Sequence, residues 1–274
     1  MAKRGFLYAV LILVSLVMIF PVAYVILGAF KSNQELMLGN TVIPSTWHWE
    51  NFTQAWRLAN FAKYTWNSVF LATMITLGKV LMGSMTAYCI VRREFPGRAL
   101  LMAALAGGMF LDVGPVTFRP LYMLSVDLGL HKSLWGAILI LCAHQATTIF
   151  PLVGFFKSVP KELDEAATVD GCGFFRIYWN IVIPCARPGL AVVALLAFRQ
   201  AWNEFLLPSV FTMTRPDLRP LTVGVATLRY AESAAAQWNI MLAGAAMSII
   251  PILVIYIFAN RSMISGLTVG GVKG

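Results

Sequence analysis

Four of the twelve acidic residues in this 274-residue chain lie within nine positions, from Glu162 to Asp170. Two neighbouring alanines, Ala166 and Ala167, lie between them. Small side chains let the backbone of another protein approach closely, and the surrounding carboxylates can pair with basic groups across that contact. The pattern therefore favours recognition of a partner. The alternative is a loop helix that folds against its own protein and keeps its charges solvated.

No comparable pattern supports catalysis by this chain. The three histidines lie in different segments, and none accompanies a nucleophile and an orienting acid. The sequence also lacks the G-x-x-x-x-G-K-[S/T] loop that binds nucleotide phosphates. None of the four cysteines forms a C-x-x-C pair, which favours free thiols over a metal site. We therefore expect no catalytic residue, no bound metal and no cofactor held by this chain.

The local sequence predicts a short helix over the acidic segment. Pro160 suits the first helical position, where its missing N–H needs no partner. The acids that follow lie near the positive end of the helix dipole, which favours negative charge. Gly171 suits the left-handed conformation that ends many helices. The helical spacing predicts one narrow face of small side chains, formed by Leu163, Ala166, Ala167 and Asp170.

A second short helix is predicted to follow over residues 174–181. Pro184 and Pro188 are expected to end this helix and to lead the chain into the next apolar segment, because proline disrupts a helix interior. The predicted apolar face consists of Phe174, Tyr178, Ile181 and Val182.

The composition indicates that these helices belong to a membrane protein. Hydrophobic residues make up 59% of the chain and charged residues only 12%, whereas soluble domains carry about 25% charged residues. The mean hydropathy is +0.74. The net charge of +9 comes from basic residues at the ends of apolar segments, so nucleic-acid binding is not expected.

Six segments are apolar over about the 20 residues that a membrane span requires. The first is expected to be a retained span, because a cleaved signal peptide has an apolar core of only about 7–15 residues. Eleven lysines and arginines lie on the side that holds both termini and the acidic segment, and seven lie on the other, so the first side is predicted to be cytoplasmic. The predicted spans, within one domain covering 1–274, are about 6–30, 66–91, 100–124, 134–156, 186–210 and 239–259.

Charged and polar residues inside these predicted spans are costly and often mark a transport pathway. Lys79 is expected either to extend toward the membrane surface or to face a cavity between subunits. Asp112 and Arg119 are about two helical turns apart and can pair if the span stays helical past Pro115. For all of these residues the alternative is packing within the protein or against a partner subunit. A third group, which places an aromatic face beside hydrogen-bonding groups, is Trp202, Asn203 and Glu204.

The acidic segment resembles the EAA motif of ABC-importer permeases. That motif reads E-A-A, three residues, G, nine residues, I-x-L-P. Here Glu165-Ala166-Ala167 is followed after three residues by Gly171, and nine residues separate that glycine from Ile181-Val182-Ile183-Pro184. Asp170 before the glycine also matches. The chain departs only at Ile183, where the family prefers leucine, and this change keeps the volume and apolar character of the side chain.

The resemblance extends over essentially the whole chain. The stretch 201–208, which reads A-W-N-E-F-L-L-P, and the C-terminal stretch 266–274 are similar to the carbohydrate-uptake branch of the family. Within that branch, the chain is most similar to the second permease of each pair, the maltose G-type subunit.

This resemblance implies an all-α membrane protein with the fold of a type I ABC importer transmembrane domain, six transmembrane helices and both termini in the cytoplasm. It also implies a cytoplasmic coupling segment, 160–184, that docks on a separate ATPase. The residues assigned to that contact are Glu165, Ala166, Ala167, Asp170, Gly171, Ile181 and Pro184. The residues assigned to the substrate pathway are Lys79, Asp112, Arg119, Trp202, Asn203 and Glu204.

The implied function is that of a permease subunit, in a bacterial or archaeal cell (inner) membrane, of an ATP-driven importer for a sugar or sugar-like solute. Expected partners are a homologous second permease in a heterodimer, two cytoplasmic ABC ATPase subunits, an extracytoplasmic solute-binding protein or lipoprotein, and membrane lipid. ATP and Mg²⁺ are expected on the ATPase. Two other classes stay open. One is an ATP-independent secondary transporter or channel subunit, although no inverted repeat is visible. The other is a membrane scaffold or receptor.

Overall fold

The computed structural model describes residues 2–39, 41–110, 114–230 and 236–270, and over these residues the chain is helical without a β-strand. This confirms the all-α prediction. The α-helices are α1 (Ala2–Gly28), α2 (Asn33–Leu38), α3 (Glu50–Leu58), α4 (Phe61–Arg92), α5 (Arg98–Phe110), α6 (Phe118–Asp127), α7 (Leu134–Ala143), α8 (Ala146–Lys157), α9 (Glu162–Val169), α10 (Phe174–Ile177), α11 (Ile183–Cys185), α12 (Arg187–Trp202), α13 (Leu206–Phe211), α14 (Leu221–Thr227) and α15 (Trp238–Gly270). Shorter turns are 3₁₀-helical at Gly114–Thr117, Pro216–Leu218 and Leu228–Tyr230, and π-helical at Tyr178–Val182.

Three helices are long and apolar enough to cross a membrane, namely α1 over Gly5–Gly28, α4, and α15 over Trp238–Ile255. Two bent pairs qualify if each is one span: α7 with α8 at 50°, and Phe174–Cys185 with α12 at 82°. The predicted third span contains α5 and α6, and residues 111–113 between them lie outside the described residues. The predicted count of six spans therefore stays a prediction.

The chain divides into two compact units, the first of which consists of Met1–Trp66 and Arg219–Pro251. In this unit α1 is exposed at every position from Gly5 through Val22. A buried amide joins the end of α1 to α3 and α15. Asn51 Nδ2 donates to the carbonyls of Ala29 and Lys31, and Asn239 Nδ2 donates to Asn51 Oδ1, each at 2.9 Å.

The second unit consists of Asn67–Leu218 and Ile252–Gly274 and contains the acidic segment. Its main core gathers the ends of α4 and α8 and the start of α12 around that segment. Helix α12 approaches α8 so closely that a Cβ on Gly189 would lie 2.3 Å from the ring of Phe155. Glycine therefore sets the spacing of these two helices. Residues buried in this core include Ala87, Ile90, Leu152, Phe156, Tyr178 and Val182.

Candidate functional site

The acidic segment forms helix α9. The prediction that Pro160 occupies the first helical position is wrong. The carbonyl of Lys161 accepts the first helical bonds, from the N–H groups of Asp164 and Glu165 at 2.9 and 3.1 Å. The helix therefore begins after Lys161, and Pro160 precedes it. Three acidic residues still lie in the first turn, where the helix dipole favours them.

Helix α9 ends at a left-handed glycine, as predicted. Gly171 has a φ of +79°. Its N–H donates to the carbonyl of Thr168 at 3.0 Å, and the N–H of Cys172 donates to the carbonyl of Ala167 at 2.9 Å. This pair of bonds is the Schellman arrangement, which satisfies the carbonyls at a helix end. A Cβ at Gly171 would meet no atom within 4 Å, so the backbone conformation, and not space, requires glycine here.

The predicted face of small side chains does not form a single face. Ala167 is buried and belongs to the core at the ends of α4 and α8, whereas Leu163, Ala166 and Asp170 are exposed. The two adjacent alanines therefore have different environments, because neighbouring residues of a helix point about 100° apart. Ala167 packs the helix onto its own protein, and Ala166 lies on the outward surface.

Large apolar side chains of the coupling segment are exposed as well as its carboxylates. Val169 is 88% exposed, and Phe175 is 64% exposed. Leu163 and Trp179 are also exposed. Exposed apolar groups of this size in the segment that also exposes Glu165 indicate a surface that another molecule covers.

An ion pair anchors α9 to the C-terminal end of α4. Nε of Arg92 lies 2.7 Å from the carboxylate of Asp164, and the two side chains are only 6% and 17% exposed. The same guanidinium donates from Nη2 to the carbonyl of Val159 at 2.9 Å. Arg92 therefore binds both Val159, in the connection that precedes α9, and Asp164, in the first turn of α9. This pair was not predicted, because a charge pattern in the sequence does not specify which base meets which acid.

An aromatic contact provides a second anchor to α4. The ring of Tyr88 lies 4.5 Å from the ring of Phe174 and 5.2 Å from the ring of Tyr178, between centroids. The buried hydroxyls of Tyr178 and Ser84 share a hydrogen bond of 2.7 Å. The chain that follows Gly171 is thus fixed to α4, the helix to which α9 is also anchored.

The predicted second helix is present in an interrupted form, as α10, a π-helical turn and α11. The prediction that Pro184 ends it is wrong. The N–H of Ile183 donates to the carbonyl of Tyr178, five residues earlier. This wider turn precedes the proline, whose missing N–H deprives a regular helix of one bond. The chain bends only beyond Cys185, ahead of α12. The predicted apolar face is confirmed, since the core includes or contacts Phe174, Tyr178, Ile181 and Val182.

The charged residues predicted inside spans occupy different environments. Lys79 is 2% exposed, and its Nζ donates to Oε1 of Gln200 at 3.1 Å, which connects α4 to α12. The expectation that Lys79 extends to the membrane surface is therefore wrong. Arg119 is exposed on α6. Asp112 lies outside the described residues, so its pairing with Arg119 stays a prediction.

Trp202, Asn203 and Glu204 do not present one common surface. Trp202 is 4% exposed, and its ring stacks on Phe198 at 5.9 Å between centroids. Asn203 is exposed just beyond the end of α12. Glu204 accepts a bond of 3.3 Å from the N–H of Leu207 at the start of α13. Of the three, only Asn203 has an exposed side chain, and its Nδ2 donates to the carbonyl of Arg199 at 2.8 Å.

Comparison with known proteins gives matches over almost the whole chain. The family model described as binding-protein-dependent transport system inner membrane component matches residues 3–262. The chain is 34% identical over 264 residues to the diacetylchitobiose uptake system permease protein of Streptomyces coelicolor, covering 96% of this chain and 87% of that protein. It is 33% identical over 276 residues to the trehalose transport system permease protein of Mycobacterium tuberculosis, covering 100% and 99%.

The fold is also similar to a solved structure. That structure is a bacterial ABC transporter involved in the import of the acidic polysaccharide alginate, with a TM-score of 0.76 and 23% identity, covering 95% of this chain and 96% of that one. At this level of identity the likeness concerns the fold. The extent of the family match and the long apolar helices together show that this multi-pass membrane chain belongs to the family of binding-protein-dependent transport system inner membrane components.

Proposed function

We propose that this chain is the permease subunit of an ATP-driven ABC importer for a sugar or sugar-like solute. The observation that carries the proposal is the setting of α9, which is anchored through Asp164 to α4 while Glu165 and Ala166 stay exposed. A segment that is fixed on its inner side and open on the other can transmit the movement of a docked ATPase. The proposed class of solute is based on two relatives, whose names specify diacetylchitobiose and trehalose.

In the proposed assembly this chain pairs with a homologous second permease. The assembly has two cytoplasmic ATPases. One of them binds the coupling segment of this chain, 160–184, and the other binds the corresponding segment of the second permease. ATP and Mg²⁺ bind to the ATPases. This chain itself performs no chemical step. An extracytoplasmic solute-binding protein or lipoprotein delivers the solute, in keeping with the binding-protein dependence of the family. The chain has six spans and both termini in the cytoplasm.

The proposed movement passes from α9 to two long helices of the second unit. Asp164 transmits it to α4 through Arg92, and the turn at Gly171 transmits it through α10 and α11 to α12. Helices α4 and α12 are connected again where Lys79 meets Gln200. Closure of the ATPases would therefore shift α4 and α12 together and change the side from which the solute has access.

The residues assigned to the ATPase contact have two roles in this proposal. Glu165, Ala166, Asp170 and Gly171 are exposed and supply the contact. The remaining residues, which are buried or half-buried, hold the segment in place: Ala167, Ile181 and Pro184.

The proposed pathway residues divide by exposure in the same way. Asn203 and Arg119 are exposed and are the side chains offered to the solute or the second permease. Lys79 bonds to Gln200, Glu204 accepts a bond from the N–H of Leu207, and Trp202 is buried. These three residues hold the helices around the pathway. Asp112 is kept as a pathway candidate.

The function is tested by removing the partner ATPase. Cells that produce this chain, its second permease and the binding protein, but no ATPase, are expected to lose uptake of every sugar that the complete system accumulates from a panel of labelled carbohydrates. The physical reason is that the movement needs ATP, and this sequence lacks the G-x-x-x-x-G-K-[S/T] loop that binds nucleotide phosphates. Undiminished uptake in those cells would instead support the alternative, an ATP-independent transporter or channel subunit.

Reversing the charge of Glu165 is expected to detach the ATPase. Because the Glu165 side chain is exposed, Glu165→Lys should leave the fold intact. Like charges placed in contact at an interface cost several kcal/mol, so the amount of ATPase that copurifies with a tagged permease should fall at least about tenfold. Asp127→Lys makes the same charge change at an exposed site at the end of α6 and is the control. Equal ATPase recovery from both variants would contradict the assignment.

A further inference from the structure

A polar groove lies at the start of the coupling segment in the second unit. Its volume is about 660 Å³, within the range of about 300–1,000 Å³ that small-molecule sites occupy. The ends of three helices form it: the C-terminal end of α4, the N-terminal end of α5 and the C-terminal end of α8. The connection from α8 to α9 closes the fourth side. The lining residues are Val91, Arg92, Glu94, Arg98, Lys157, Val159, Pro160, Lys161 and Glu162.

The groove carries side chains of both charges. Arg92 is already neutralised by Asp164. Three further bases and two acids remain, and in the part of the chain that the structure describes none of these five belongs to an ion pair. They are Arg98, Lys157, Lys161, Glu94 and Glu162. Mixed charges at one groove without internal pairing fit a ligand that itself carries a negative and a positive group.

The position of the groove indicates where such a ligand comes from. Helix α4 is an apolar candidate span that ends at Arg92, and α8 belongs to a bent candidate span that ends at Lys157. The charged residues that follow an apolar span lie at the level of the phospholipid headgroups. Basic pockets between such helix ends bind lipid headgroups on the cytoplasmic side. The groove includes the first residues of the coupling segment, Pro160, Lys161 and Glu162, whereas the exposed coupling residue Glu165 is not part of its lining.

We propose that this groove binds a membrane phospholipid whose headgroup carries both a phosphate and a primary amine. Lys157, Lys161 and Arg98 pair with the phosphate. Glu94 and Glu162 accept hydrogen bonds from the primary ammonium group. The ammonium of a choline headgroup has no N–H to donate, and a glycerol headgroup contains no amine. The lipid thereby bridges α5, α8 and the start of α9, and it stabilises the same segment that Arg92 holds.

The test is a lipid titration of the purified, fully assembled transporter, followed by native mass spectrometry. Dioleoyl-phosphatidylethanolamine is expected to occupy the complex at lower concentration than dioleoyl-phosphatidylglycerol or dioleoyl-phosphatidylcholine. The double variant Lys157→Gln and Lys161→Gln should bind the ethanolamine lipid about thirtyfold more weakly, because each lysine near a headgroup contributes about fivefold. Lys132→Gln, an exposed lysine outside the groove, is the control and should bind like the unmodified protein.

A second variant tests the role of the amine. Glu162→Gln should weaken binding of the ethanolamine lipid and leave binding of the glycerol lipid unchanged, since only the first donates to the carboxylate. Equal affinity for all three lipids, or no effect of the lysine variants, would overturn the proposal. Loss of the ATPase from the double variant in every lipid would assign the groove to the ATPase instead. Binding of soluble phosphoethanolamine as tightly as the lipid would assign it to a soluble phosphorylated amine and would also overturn the lipid site.

Discussion

Replacing Gly171 with proline is expected to reduce ATP-driven uptake strongly while the protein still inserts into the membrane. Proline fixes φ near about −65° and has no N–H, whereas Gly171 has a φ of +79° and donates to Thr168. Both features of the helix end are lost, and the turn into α10 is redirected. Backbone strain of this kind costs about 1–3 kcal/mol, so the initial uptake rate should fall at least about fivefold. The measurement is uptake into proteoliposomes that contain equal amounts of assembled complex.

Alanine substitutions at Gly171 and Gly173 form a matched pair for this prediction. A Cβ at either position would meet no atom within 4 Å, so neither change creates a clash. Gly173 has a φ of −75°, which alanine adopts freely. At Gly171 the left-handed conformation costs alanine about 1–2 kcal/mol. Uptake should therefore be reduced only by Gly171→Ala. Equal rates for the two alanine variants would show that the left-handed turn is not required for coupling.

The second large effect concerns the ion pair between Arg92 and Asp164. Asp164→Asn removes the carboxylate charge and leaves the guanidinium, whose side chain is 6% exposed, without its counter-ion. Breaking a buried pair on one side costs about 3–5 kcal/mol, and we expect about 3 kcal/mol because Val159 still accepts a bond from Arg92. Thermal unfolding of the solubilised complex measures the loss. More ATP should also be hydrolysed for each solute imported, since α9 is no longer fixed to α4.

Two controls separate the ion pair from a general effect of charge. Asp127→Asn removes an equivalent charge from an exposed site and should leave the unfolding temperature unchanged. The double variant Arg92→Met and Asp164→Leu removes both charges together, and it should recover most of the lost stability because no buried charge is left unpaired. If coupling stays impaired in the double variant, the pair positions α9 in addition to stabilising it. An Asp164→Asn protein that unfolds like the unmodified one would refute the anchoring role.

Local features of the coupling segment were predictable from the sequence. The left-handed end at Gly171 follows from the properties of glycine, which alone adopts positive φ without strain. The apolar face that α10 shares with the following turn is predicted by the helical spacing of Phe174, Tyr178 and Val182. Both inferences need only neighbouring residues, and both are confirmed.

Features that depend on distant contacts were not predictable in this way. The sequence gives no means to pair Arg92 with Asp164, because several bases and acids lie on the same predicted side of the membrane. The burial of Ala167 but not Ala166 depends on the direction from which α9 meets α4 and α8. Tertiary packing also explains the π turn, since the buried contacts of Tyr178 and Ser84 hold the chain through a proline that usually ends a helix.

The π turn also changes the angle at which side chains on its two sides point around the helix axis. It places one residue more between bonded groups than an α-helical turn does, and each residue of an α-helix advances the side-chain direction by about 100°. Everything on the far side of Tyr178–Val182 is therefore rotated by about that angle from where an uninterrupted helix would place it. The number of residues between Gly171 and Ile181, which is nine, therefore determines how α9 is rotated about the axis of the helix that follows it. A chain one residue shorter there would keep Glu165, Gly171 and Pro184 and would still present Glu165 in a different direction around α12.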